Sequence, residues 1–285
     1  MALLIAWTCV GVPIGEGLGR VIAGIIRHDG DAGHSLFSKT RYAALALQII
    51  CPSGAEHVFL LFQKTDEGYN GLEIDRPKVL CSTFRACMSR LEQQGLEEKF
   101  DAVYAGIQRA FTEKMVRLEN AIRLLEHGMQ IGEVYLGKLM FVMGLDMLFM
   151  AGNMQKFRER LGGFLGSGSY VFPPVFPPGS VSSQQPNTKV CEVLEDLYNF
   201  RNIIVHGREI PEHPFRRKVG LLSTGGSLIT NQVYYRAELL LESGLYMLTT
   251  ALRRIFIEDL IDEVKDSARW KEMMKRYEHR FKESG

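Results

Sequence analysis

The stretch LEDLYNFRNIIVHG, residues 194–207, decides how the chain reads. Advanced by about 100° per residue, a helix through it brings Val190, Leu194, Leu197, Tyr198 and Val205 within about 60° of Arg201, on both sides. The arginine therefore falls in the middle of an apolar stripe. A second helix, over about residues 131–151, repeats the pattern with Tyr135, Leu139, Val142, Met143, Phe149 and Met150 around Asp146. An unpaired charge in a core costs on the order of several kcal/mol, so these two opposite charges are expected to meet. Two readings stay open. One is a structural ion pair that joins two helices. In the other, Asp146 orients Arg201 at the wall of a cleft, where the guanidinium meets an anion. His206 lies about 140° round an ideal helix from Arg201. Gly207 can end that helix in a left-handed conformation and loosen its last turn, bringing both groups within reach of one pocket.

The chain has 285 residues, enough for one large domain or two modest ones. A content of 46% hydrophobic and 24% charged residues fits a soluble globular protein rather than a disordered one. Thirty-four Lys and Arg against 33 Asp and Glu exclude a polycation, so any anion-binding surface must be local. The five cysteines show neither CxxC nor a metal-ligand spacing and read as reduced thiols of a cytoplasmic protein. MALLIAWTCVGVPIG, at the start, has no basic residue before Arg20 and is too short to span a bilayer before Glu16. A buried first strand or helix is expected there, and no membrane association. No dense His/Asp/Glu set appears, so neither a metal nor a cofactor is expected.

The fold class reads as mainly α: a helical domain over 97–285, preceded by a smaller mixed α/β region over 1–96. In the N-terminal region YAALALQII (42–50) and HVFLLFQ (57–63) flank the turn-forming CPSGAE; the first is a strand of a hairpin or a helix. A helical pattern begins beyond Pro77. From 97 onward Phe100, Val103, Tyr104, Ile107, Phe111, Met115, Leu118, Ile122 and Leu125 form one helical stripe, with His127-Gly128 as its stop. Further helices are expected over about 153–165, 189–205, 232–262 and 267–282. Between them GSGSYVFPPVFPPGSVSSQQPNTK (166–189) is a Pro-rich loop, a connector or a functional arm. RRKVGLLSTGGSLITNQ reads as a small hairpin, and Trp270, Met273, Met274, Tyr277 and Phe281 as a core or subunit-contact stripe.

RNIIVH, Arg201 to His206, matches the R-x4-H motif of the HEPN superfamily, with the Asn that often follows the Arg. The context is similar to the Apea-like branch. LGKLMFVMGLDMLF (136–149) resembles that branch's helix with a central acid, MQKFRERLGGFLG (154–166) the next helix, and LYNFRNIIVHG the motif helix. A long apolar helix follows, and the resemblance covers about residues 97–262. It implies a HEPN-type helical bundle that pairs as a homodimer, with two motifs facing a shared cleft. It also implies a metal-independent endoribonuclease of a toxin, CRISPR or antiphage system, with an antitoxin or defence-system partner. Carried over, Arg201 and His206 are catalytic, Asn202 assists and Asp146 is the supporting acid. Some HEPN toxins carry a tyrosine two residues after the His, which a partner modifies with nucleotides; here Arg208 stands there, so that scheme is not expected.

RNA brings its own nucleophile, the 2′-hydroxyl, so cleavage needs proton transfer and charge stabilisation. His206 would act as general base or acid and Arg201 would stabilise the phosphorane. The expected products are a 2′,3′-cyclic phosphate and a 5′-hydroxyl. The basic run Arg208, Arg216, Arg217 and Lys218 would hold backbone phosphates of single-stranded RNA, or is a solvated loop. The rival class is a non-catalytic HEPN module for dimerisation or for nucleotide or RNA binding.

Overall fold

The computed structural model describes residues 2–9, 21–28, 33–50, 52, 56–65, 68–74, 96–131, 134–171, 189–208 and 229–284. The chain divides into two compact units, Met1–Arg109 and Ala110–Gly285. In the first, strands β1 (Ala2–Cys9), β2 (Val21–His28), β3 (Glu56–Thr65) and β4 (Gly68–Ile74) form an antiparallel sheet in the order β2-β1-β3-β4. The apolar opening segment is thus an inner strand, with Trp7 opposite Ala23 on one side and Val58 on the other. YAALALQII belongs to helix α1 (Gly33–Ile50), where Ala43, Ala46 and Ile50 and then Leu45 and Ile49 recur at helical spacing and are buried. The helical pattern expected from Pro77 lies outside the described residues until Leu96.

Helix α2 (Leu96–Thr112) runs across the division, and the second unit continues with α3 (Val116–Gln130), α4 (Val134–Phe149), α5 (Met154–Leu165), α6 (Val190–Val205), α7 (Ile229–Ile257), α8 (Ile261–Lys265) and α9 (Ser267–Ser284). Its described part is helical, and the protein is mainly α. Among the described residues no single helix is long and apolar enough to cross a membrane. Of the Pro-rich loop, residues 172–188 lie outside the described residues; its two ends are joined by a bridge between Tyr170 and Lys189. The hairpin expected over 216–232 also lies outside them, except that its last four residues, ITNQ, open α7.

Four helices end by one device. Lys114, Met150, Gly207 and Asp259 adopt left-handed backbone (φ 51°, 50°, 61° and 53°). In each case the next residue's N–H bonds back five residues: Met115 to Ala110, Ala151 to Asp146, Arg208 to Ile203, Leu260 to Ile255. Only one of the four is glycine. The stripe expected as a single helix from 97 therefore breaks into α2 and α3 at Lys114, and the helix expected over 232–262 ends at Ile257. Gly128, expected as a stop, lies inside α3. A Cβ there would sit 2.6 Å from the Phe141 ring and 2.8 Å from the Gly137 carbonyl oxygen, so this glycine serves the close crossing of α3 and α4.

The end of α4 is held by its neighbours. The Trp270 indole donates to the Leu148 carbonyl at 2.7 Å, and the Arg160 guanidinium to those of Phe149 (3.1 Å) and Met150 (2.6 Å). These bonds satisfy carbonyls that a helix end leaves without an intrahelical partner. Arg160 also pairs with Glu278 at 2.5 Å, tying α5 to α9. Asn153 caps α5 by accepting the Lys156 N–H at 2.9 Å. Asp266 caps α9 by accepting the Ala268 and Arg269 N–H groups, which hold its carboxyl below the usual aspartate range.

Of the stripe of the last helix, Trp270, Met274 and Tyr277 are buried in the core, and Met273 and Phe281 are half-buried. Phe164 meets Phe149 and Tyr277 at 5.1 Å each, edge to face. Helix α9 lies so close to α5 that a Cβ on Gly163 would overlap the Tyr277 carbonyl. Because backbone rather than a side chain stands in the way, Gly163→Ala should destabilise the protein by about 1–3 kcal/mol or more. Urea denaturation checks this, and an unchanged midpoint would refute the close approach.

Candidate functional site

Along α6 the residues Val190, Val193, Leu194, Leu197, Tyr198 and Phe200 are buried, whereas Val205 is half exposed. The helix rises out of the core over its last turn and a half. Arg201 stands where the apolar stripe runs out, with 24% of its side chain exposed; Asp146, in the last turn of α4, keeps 13%. The sequence reads each charge at the centre of an apolar stripe; both side chains keep some exposure, and the pair closes the rim of the α4–α6 contact. Beneath it Phe200 packs on Leu139, with Met143 and Ile204 alongside and the Tyr135 ring 6.0 Å away.

Arg201 and Asp146 do meet. Nη2 of Arg201 lies 3.0 Å from Oδ2 of Asp146, whose Oδ1 accepts the Gly152 N–H at 3.1 Å. Nη1 of Arg201 donates to the Asn202 side-chain oxygen at 2.8 Å. The guanidinium lies over the Tyr198 ring at 5.2 Å, and Tyr198 is braced by Phe157 at 5.3 Å. The Nε–H is buried without a hydrogen-bond partner. Of the five donors of a guanidinium, two are engaged by Asp146 and Asn202, and the group is positioned but not saturated.

His206 follows the last residue of α6. Its N–H bonds the Asn202 carbonyl at 3.1 Å, and Gly207 and Arg208 complete the left-handed stop. The imidazole is exposed and among the described residues has no side-chain hydrogen-bond partner. The structure thus brings the side chains of Asp146, Arg201 and Asn202 together, while the His206 imidazole, past a helix that stays regular through Val205, is bonded to none of them. Arg208 is exposed beside it, while Arg216, Arg217 and Lys218 lie outside the described residues.

Sequence reasoning put Tyr198 on the Arg201 face without its ring contact, and missed a second support of this cluster. Tyr198 stands three residues before Arg201, a spacing that places both on one helix face and was legible. The Gly152 N–H depends on the left-handed turn at Met150, for which the sequence carries no signal. It also missed a deeper ion pair. Lys138 of α4 and Glu242 of α7 bond side chain to side chain while only 3% and 4% exposed. No protein-family model matches the chain, and neither the curated proteins nor the solved structures give a match.

Proposed function

We propose that the chain is a HEPN-type endoribonuclease that cleaves single-stranded RNA without a metal ion, working in the cytoplasm as a bacterial toxin or antiphage effector. The observation that supports this best is the partly exposed Arg201, oriented by Asp146 and Asn202 and set five residues before an exposed histidine. A guanidinium fixed in this way can meet the charge that grows on a phosphorane, and an imidazole can move the proton of the 2′-hydroxyl. Within one chain His206 and Arg201 are not hydrogen-bonded. A homodimer paired through the helical domain would set the motifs of two copies against one substrate. Residues 1–96 would then serve a regulating partner. The second reading, a non-catalytic dimerisation, nucleotide- or RNA-binding module, is favoured by the lack of a bond between His206 and Arg201 and by the engagement of Arg201 with Asp146.

End analysis of the products tests the proposal. Incubated with a labelled single-stranded RNA in excess EDTA, the purified chain should yield 2′,3′-cyclic phosphate and 5′-hydroxyl ends. Cleavage that EDTA abolishes, or products with 3′-hydroxyl ends, would sink the mechanism. An inert protein that still binds RNA or a nucleotide would support the module.

A further inference from the structure

Away from Arg201 a second cation is held in an unusual way. Arg117, on the first turn of α3, donates to the Val264 carbonyl at 2.6 Å and to the Ser267 hydroxyl at 2.9 Å. Burial pushes its guanidinium below the ordinary arginine range. Lys138, Arg160 and Arg201 each face a carboxylate, of Glu242, Glu278 and Asp146. Arg117 has none within 4.0 Å among the described residues. A partly buried charge without a counter-charge carries some desolvation cost, and a bound anion would offset it.

Arg117 lines a cleft of about 580 Å³ between the start of α3, the end of α4 and the α8–α9 corner. That volume suits a small molecule. Three cations, Lys114, Arg117 and Lys265, stand against one carboxylate, Glu113, which is already paired with Lys265 at 2.8 Å. Lys114 is exposed and has no ion pair among the described residues. Met147 and Met150, 39% and 37% exposed, line the cleft as adaptable apolar side chains, beside the buried Met115. Val116, 68% exposed, stands at the mouth. Two of the strained left-handed residues, Lys114 and Met150, border this one cleft.

We propose that the cleft binds a small amphipathic anion, one carboxylate or phosphate on a flat apolar body, with the acid on Arg117 and Lys114 and the body against the methionines. Two of the guanidinium's N–H donors are used by Val264 and Ser267, which leaves three, and a guanidinium matches either acid with two parallel bonds. The site is independent of the nuclease reading and shares no residue with it.

Methyl-¹³C methionine spectra of the full chain test it, since three of the 12 methionines lie in the cleft and can be assigned by Met→Leu variants. The probes are 2-naphthoate and adenosine monophosphate, with 2-naphthamide and adenosine as neutral counterparts. At least one anion should shift Met115, Met147 and Met150 selectively, saturate below about 1 mM and bind about tenfold more tightly than its neutral counterpart. Whichever acid binds identifies the carboxylate or the phosphate as the recognised group. Arg117→Gln should abolish the selective shifts. Because Arg117 also anchors α8 and α9, Val116→Glu is the second variant. It places a carboxylate at an exposed first-turn position that tolerates one, and should weaken the anion about tenfold with the thermal midpoint unchanged. No saturation by either anion, shifts spread over the other methionines, equal binding of the neutral forms, or an unaffected Val116→Glu variant would each overturn the proposal.

Discussion

Lys138→Met alone should destabilise the helical unit by about 3–5 kcal/mol, the range found when one partner of a buried ion pair is removed. The side chain sits between α4 and α7 with its ammonium bonded to Glu242 and 5.9 Å from the Phe141 ring centre. Methionine fills nearly the same volume, so the loss comes from leaving the buried Glu242 carboxylate without this counter-charge. Removing both charges removes that penalty. Lys138→Met with Glu242→Leu should therefore recover most of the stability and could exceed the parent, because the desolvation of two ions is no longer required. Urea denaturation of the parent, both single variants and the double variant gives the coupling directly. A double variant as unstable as the sum of the two singles would show that the charges act separately, and that their contact does not hold α4 against α7.

The helical stripes were legible, because residues three and four apart share a face and Leu118, Ile122, Leu125, Leu194, Leu197 and Trp270 follow that rule into the core. Helix ends were less so. A reader of sequence looks for glycine where the chain turns left-handed, and finds it at Gly207. At Lys114, Met150 and Asp259 the same turn is made by residues that carry no such mark. Gly128 misled in the opposite sense, since with Gly137 it marks a helix crossing. The Asp146–Arg201 contact could be inferred because opposite charges on two apolar faces must be paired. Whether it lies in the core or at a rim stayed open, because a helical wheel ranks residues around an axis and says nothing of where that axis leaves the core. The same limit hid Lys138, whose partner lies 104 residues further along the chain.

On the nuclease reading, Arg201→Ala and His206→Ala should each lower the cleavage rate by about 10²–10⁴, the range for loss of a proton-transfer group or of a donor to developing charge. The geometry makes these variants readable. Asp146 keeps the Gly152 N–H and some exposure, so Arg201→Ala should cost only about 1–3 kcal/mol of stability, as for loss of a charged hydrogen bond, and the protein remains folded for assay. His206 is exposed past the end of α6, and its removal should leave the denaturation midpoint where it was. Arg201→Lys separates charge from shape. A lysine keeps the charge, but it cannot hold Asp146 and Asn202 together and still present a planar pair of donors, so it should fail to restore the rate. The decisive variant is Asp146→Leu with Arg201→Met, which removes the pair without stranding either charge. If it is stable and inactive, the guanidinium acts on the substrate and Asp146 serves to aim it. If it is stable and cleaves at the parent rate, the pair is scaffolding, and the chemistry must be sought elsewhere on the chain.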